Sequence, residues 1–126
     1  MNLSGFSEPV LFALDRQDVF NDYDIEGLCA VYVIIKDNNE IVKIGEGGDL
    51  DDRFNKYLNT NRSEEGPKKS TRRRIRNELR NNPNSNYSVR WKEQSNKAEC
   101  EKFEQIMFDR FEEENDCLPK LNPIRK

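Results

Sequence analysis

The sequence predicts a small domain of mixed α and β structure (α+β, in the α/β class), on three observations. Two apolar runs flank a polar turn at 37–40, the pattern of a β-hairpin. Residues 96–115 carry apolar side chains at helical spacing, the pattern of an amphipathic helix. A length of 126 residues gives room for one modest core and one domain.

The elements follow in order. Ser7-Glu8-Pro9 ahead of Val10, Leu11, Phe12 and Ala13 suits a short helix, with Ser7 as cap and proline in the first turn. Residues 28–36 read as a strand, 37–40 as a turn and 41–45 as a second strand. Asparagine tolerates positive φ, so Asn38-Asn39 suits a two-residue loop. That loop sets Val33 against Ile44 and Ile35 against Val42. With Val31 these residues make one apolar face. Tyr32, Ile34, Lys36, Ile41, Lys43 and Gly45 make the other, where Tyr32 and Lys43 are diagonal neighbours with Cβ atoms about 7–8 Å apart.

Gly45-Glu46-Gly47-Gly48 reads as a flexible joint. Asp49 or Asp51 then opens a helix that buries Leu50, Phe54, Tyr57 and Leu58. After a polar loop at 59–67, Lys68 to Arg80 reads as a second helix, with Ser70 or Thr71 as cap and Ile75 and Leu79 as its buried pair. Asn81 to Asn86 is a turn cluster, and Tyr87 to Trp91 alternates like a third strand. The last helix, Asn96 to about Asn115, turns Ala98, Cys100, Phe103, Met107, Phe108 and Phe111 to its apolar side.

Composition narrows the chemistry. The chain has no histidine, which excludes serine–histidine triads, histidine bases and histidine-bound zinc. Cys29, Cys100 and Cys117 are odd in number and lack metal-type spacing, which reads as reduced thiols in a cytoplasmic compartment. No run approaches the roughly 20 apolar residues of a membrane span, and the start lacks a secretory leader, so neither membrane nor export is expected. The net charge of −3 hides an asymmetry: residues 1–50 carry net −7, residues 51–80 net +5 and residues 81–126 net −1. A basic zone on an acidic body fits binding focused on one face.

Four residues stand out as carriers of chemistry: Tyr32, Lys43, Arg53 and Glu104. Glu104 lies inside the apolar stripe of the last helix, and a carboxylate there needs a partner. A divalent cation such as magnesium is one, and Lys97 or Arg110 is another. Tyr32 is either a packed tyrosine or, with the Lys43 ammonium lowering its pKa, a group that takes a proton from water. Arg53 either forks onto a phosphate or pairs with Asp49 or Asp52. Lys68, Lys69, Arg72, Arg73, Arg74, Arg76 and Arg80 form a basic run, with Arg72, Arg76 and Arg80 in one line. Such cations oppose the positive end of the helix dipole, and a phosphate backbone would relieve them. The plainer reading is a solvated helix paired with Glu64, Glu65 and Glu78. Asn122, between two prolines, is placed to clamp a loop or orient a site.

Taken together, the pattern resembles the GIY-YIG nuclease family. Ala30-Val31-Tyr32 is similar to its first signature tripeptide and Lys43-Ile44-Gly45 to its second. Gly45 through Leu50 to Arg53 follows its spacing. Glu104 to Phe111 resembles its glutamate helix, and Leu118 to Asn122 its closing segment. The resemblance covers roughly residues 28–122, leaving an acidic N-terminal extension at 1–27 and a tail at 123–126. It implies a three-stranded antiparallel sheet flanked by helices, and hydrolysis of DNA phosphodiesters with magnesium or manganese on Glu104. Tyr32 would be the general base, Arg53 would lie near the phosphate, and Tyr57 and Asn122 would support them.

The chain departs from the family pattern at two places. Lys43 stands where a second tyrosine is usual, as in some restriction enzymes of the family, and Gly47 stands where threonine is common. Tyr57 is an allowed choice at its position. The layout is closest to the family's short phage and restriction endonucleases, which implies a bacterial or phage-infected host cytoplasm. One site per chain would nick DNA, and cutting both strands would use a homodimer or two encounters. The rival readings keep the fold without catalysis, as a nucleic-acid-binding module or as a protein-interaction module using the acidic first 27 residues.

Overall fold

The computed structural model describes residues 1–61 and 70–122. In chain order these form strand β1 (Val10–Leu11), a 3-10 turn over Gln17–Asp22, strands β2 (Ala30–Lys36) and β3 (Glu40–Gly47), helices α1 (Leu50–Leu58) and α2 (Thr71–Asn81), strand β4 (Tyr87–Glu93) and helix α3 (Lys97–Asn115). One antiparallel sheet runs in the order β1-β4-β2-β3. The expected three strands are therefore four.

The additional strand comes from the segment expected to be helical. Residues 7–12 run extended along β4: the Ser7 amide donates to the Trp91 carbonyl at 2.7 Å and the Phe12 amide to the Tyr87 carbonyl at 3.0 Å. Val10 and Phe12 are buried while Leu11 is 43% exposed, the period of a strand. A helix of one or two turns is marginal by itself. The open edge of β4 offers the same backbone groups ladder partners. Phe20 and Ile25 also enter the core, so residues 1–27 pack as part of the fold.

The hairpin keeps the expected register from Tyr32↔Gly45 through Val33↔Ile44 to Ile34↔Lys43, then shifts, so that Ile35 pairs with Ile41 and not with Val42. The cause is the loop. Lys36 pairs with Glu40, which leaves three loop residues, and Asp37 and Asn38 both take positive φ (52° and 62°). The surplus residue, Val42, is absorbed as a bulge. Val42 consequently packs with Tyr32 and Ile34, and Ile41 joins Val31, Val33 and Ile35, the reverse of the expected faces. β3 also continues through Glu46 and Gly47, which the sequence suggested were a joint.

The sheet separates two helical layers. On one face Ala30, Tyr32, Ile34, Val42 and Val89 pack on α1 and on Ile75 of α2. On the other, Val31, Val33, Ile35 and Ile44 pack on Cys100, Met107, Phe108 and Phe111 of α3. All three helices are capped by side chains that accept an orphan backbone amide: Asp49 from Asp52 at 3.2 Å, Ser70 from Arg73 at 3.2 Å and Asn96 from Glu99 at 2.9 Å. Leu50, Phe54, Tyr57 and Leu58 are buried as expected, whereas Leu79 is only half-buried and Ala98 is exposed.

Candidate functional site

The site grows from one cross-strand pair. Tyr32 on β2 faces Gly45 on β3, and its ring fills the space where a side chain at residue 45 would begin. A Cβ at residue 45 would sit 2.4 Å from both Cζ and Oη of Tyr32. No L side chain fits there while the ring stays, which gives the glycine a packing reason independent of any motif. The Tyr32 hydroxyl meets the Tyr57 hydroxyl of α1 at 2.8 Å, and the Tyr32 ring stands edge-on to Phe54 with centroids 5.4 Å apart. One turn before Tyr57, Arg53 projects from the same face of α1 and is held partly buried beside both phenols.

These groups open into a cleft of about 780 Å3. Tyr32, Lys43, Arg53, Tyr57, Glu104 and Asn122 all line it, so the structure brings the sequence-derived polar residues together in one concavity. Lys43 is only 9% exposed. Ser70, Thr71 and Arg74, at the start of α2, line the same cleft, as do Phe108 and Leu121. Asn122 acts on the backbone. Its side-chain oxygen accepts from the Ile44 amide at 2.8 Å, and its amide nitrogen donates to the Ile44 carbonyl at 2.9 Å. The Leu121 amide adds a bond to the Val42 carbonyl at 2.8 Å. This segment thus ties down the open side of β3 between Lys43 and Gly45.

Electrostatics alter the expected role of Tyr32. Burial pushes its phenol well above the ordinary value, the Tyr57 hydroxyl and the Glu104 charge push the same way, and Arg53 opposes them. The expected lowering does not occur: desolvation of a phenolate on a fully packed face outweighs the nearby cation. Tyr32 is therefore a neutral phenol in the free protein. Arg53 titrates above its ordinary value. Its burial alone would lower it, and the Tyr57 and Tyr32 phenols and the Glu46 carboxylate overcome that.

Glu46 was not singled out from the sequence. It lines the cleft, and one of its carboxylate oxygens, Oε2, is buried with no hydrogen-bond partner among the described residues. The signal that could have found it is alternation: Ile44 packs toward α3, and Glu46, two residues on in β3, falls on the same face. Among the described residues no cluster of three or more metal-ligating side chains occurs. The cleft does hold two carboxylates, Glu46 and Glu104. An orphaned carboxylate oxygen and one or two acidic ligands suit magnesium, which retains waters and takes phosphate oxygens.

The basic run divides. Arg74 lines the cleft, Arg72 and Arg73 are partly exposed on α2, and Arg80 is exposed in its last turn. Lys68 and Lys69 lie outside the described residues. Arg76 cannot meet DNA from where it stands. It is 1% exposed, and its guanidinium donates to the carbonyls of Tyr57 (3.1 Å), Lys56 (2.8 Å) and Asn59 (2.8 Å). Those carbonyls end α1, where no intrahelical donor remains. The line Arg72-Arg76-Arg80 thus runs partly along the packed side of α2. Glu78, the expected solvent partner of that line, is also buried. It accepts from the Tyr87 hydroxyl and pairs with Lys120 at 2.9 Å. Of the ion pairs weighed for Arg53, Asp52 binds Lys56 at 3.0 Å and Asp49 caps α1.

No family model, curated protein or solved structure matches the chain. Among the described residues no helix is long and apolar enough to cross a membrane.

Proposed function

We propose that this chain is a metal-dependent DNA endonuclease of the GIY-YIG type. The observation that supports it most is the convergence of Tyr32, Lys43, Arg53 and Glu104 on one cleft from β2, β3, α1 and α3. Arg53 holds the scissile phosphate by its guanidinium fork and stabilises charge as it develops. Lys43 orients the attacking water, and Tyr32, whose phenolate Arg53 favours against the cost of burial, accepts the proton. Tyr57 fixes the Tyr32 hydroxyl through their 2.8 Å bond. The amino end of α2, with Ser70, Thr71 and Arg74, receives a neighbouring backbone phosphate. Glu104, with Glu46 beside the same cleft, would hold the divalent cation. When bound, that ion supplies positive charge for the leaving oxygen.

The test is conversion of supercoiled plasmid to nicked or linear product with magnesium or manganese. Loss of activity in Glu104→Ala and Tyr32→Phe is expected, together with weakened manganese binding in Glu104→Ala and Glu46→Gln, read by calorimetry. Cleavage that survives both site substitutions would remove the proposal. A second reading, binding without cleavage, is favoured by one observation, the raised Tyr32 phenol. Salt-dependent DNA binding with no product under any divalent metal would establish that reading instead.

A further inference from the structure

We propose that Cys29 and Cys100 are a redox pair, closed to an intramolecular disulfide by exchange with a low-molecular-weight disulfide such as oxidised glutathione. The two thiols are 71 positions apart in sequence, yet their sulfurs stand 2.9 Å apart. Cys29 is partly exposed immediately before β2, and Cys100 is fully buried in the first turn of α3. Both belong to the apolar layer between the sheet and α3.

Each backbone is already fixed. The Cys29 carbonyl accepts from the Gln94 amide at 2.9 Å, and the Cys100 amide donates to the Asn96 carbonyl at 3.0 Å. Reaching a bonded separation of about 2.05 Å takes a contraction of under about 1 Å, within the reach of side-chain rotation. A thiol pair that served packing alone would need no second sulfur, since either position could hold any small apolar group.

The reaction has two steps, and both balance. The Cys29 thiolate attacks one sulfur of oxidised glutathione, the glutathione S–S bond breaks, and one glutathione thiol leaves. Cys100 then attacks the Cys29 sulfur as its proton passes to the departing glutathione sulfur, and the second glutathione leaves as a thiol. Two protein thiols are oxidised and one disulfide is reduced to two thiols. The order follows exposure, because only Cys29 is reachable from solvent. The second step is slow at neutral pH, since burial and the Cys29 neighbour hold the Cys100 thiol up at about 12. The bond would fasten α3 to the start of β2 one helical turn before Glu104. None of this depends on the proposed nuclease activity.

Cys117 is exposed and would cross-link chains, so the test uses the whole chain carrying Cys117→Ser. After incubation of the folded protein with oxidised glutathione, three results are expected. Intact mass shows loss of two hydrogens with no glutathionyl adduct, and no thiol titrates after unfolding. Dithiothreitol restores both thiols. The oxidised form melts higher by roughly 5–15 °C, as closure of a long loop requires. Closure also accelerates as pH rises from about 7 to 9. Cys29→Ser and Cys100→Ser in the same background should show neither ring closure nor the melting shift. A stable glutathionyl adduct on Cys29 with Cys100 still titratable, two unreacted thiols, or an oxidised form that melts lower would each overturn the pairing.

Discussion

Arg76→Ala separates a structural arginine from a phosphate-binding one. The guanidinium makes three hydrogen bonds to carbonyls at the end of α1 and is buried. Hydrogen bonds to a charged group contribute about 1.5–3 kcal/mol each, so the gross loss is about 4.5–9 kcal/mol. Water entering the space left by the side chain re-solvates some of those carbonyls, which brings the expected net loss to about 3–5 kcal/mol. A domain of 126 residues has about 6–19 kcal/mol to lose, at about 0.05–0.15 kcal/mol per residue. With a urea m-value near 2 kcal/mol/M, the unfolding midpoint should fall by about 1.5–2.5 M. Arg76→Lys should recover less than half, because one ammonium cannot reproduce the planar fork. Arg74→Ala, in the cleft, should leave stability within about 0.5 kcal/mol of the parent and weaken DNA binding. The assay is urea unfolding followed by circular dichroism, with fluorescence-polarisation binding alongside. An Arg76→Ala protein as stable as the parent, but as weak as Arg74→Ala on DNA, would refute the assignment.

Gly45→Ala should cost about 2–4 kcal/mol, from overpacking against Tyr32 and loss of the bond to Tyr57. In a double-mutant cycle with Tyr32→Ala the two losses should fall short of additive by at least about 1 kcal/mol, and additive losses would show that the ring does not occupy that space. The Tyr32 and Tyr87 phenols are both held above their ordinary value. The stability they contribute is whole below about pH 10, where the unfolded phenols titrate, and is lost above it. Urea midpoints at pH 8 and pH 10.5 check this, and an unchanged midpoint would count against the burial argument. If Tyr32 is the base, the logarithm of kcat/KM rises with unit slope from about pH 6 to 9, and a plateau starting near pH 7 would assign the base elsewhere. Asn122→Ala should cost about 1–3 kcal/mol for two buried bonds. It should also speed exchange of the Ile44 amide by about 10–100-fold in hydrogen-exchange mass spectrometry.

What the sequence revealed was local, and what it hid was long-range. The helices α1 and α3 were legible because caps and apolar spacing lie within the element itself, whereas for α2 the sequence offered Ser70 as one of two caps and began the helix at Lys68, outside the described residues. Asp49, Ser70 and Asn96 each cap a residue three positions on. The hairpin register was legible only up to the bulge. Asn38-Asn39 fits two loop lengths equally well, and the choice between them moves Val42 to the other face. β1 was hidden because its partner, β4, lies nearly eighty residues away and its two residues carry almost no periodic signal. Arg76 was misassigned for a related reason. A basic residue beside other basic residues reads as surface, and nothing near it in sequence points to the unsatisfied carbonyls of α1. The polar residues that line the cleft were picked out through the resemblance of their spacing to a known family pattern. Glu46 was missed because the glycines around it suggested a joint where the strand in fact continues.

The cleft follows from β3 lying at the edge of the sheet. In any strand, neighbouring residues point to opposite faces, so Gly45 and Glu46 should never share a pocket. In a central strand the adjacent backbones would wall the two faces apart. At an edge the faces meet around the strand, and a cleft can reach the Tyr32 ring over Gly45 from one side and Glu46 with Glu104 of α3 from the other. The same exposure is a hazard, because an open edge invites pairing with another chain. Asn122 and Leu121 resolve it by occupying the backbone groups of Val42 and Ile44 without adding a full strand. A complete fifth strand would satisfy the edge equally well, but it would separate the phenols and guanidinium from the carboxylates. A side-chain amide in place of a strand closes the ladder at Ile44, with the Leu121 amide on Val42, and adds no full strand along the rim. The closing segment is therefore part of what makes one cleft from residues on both faces of one sheet.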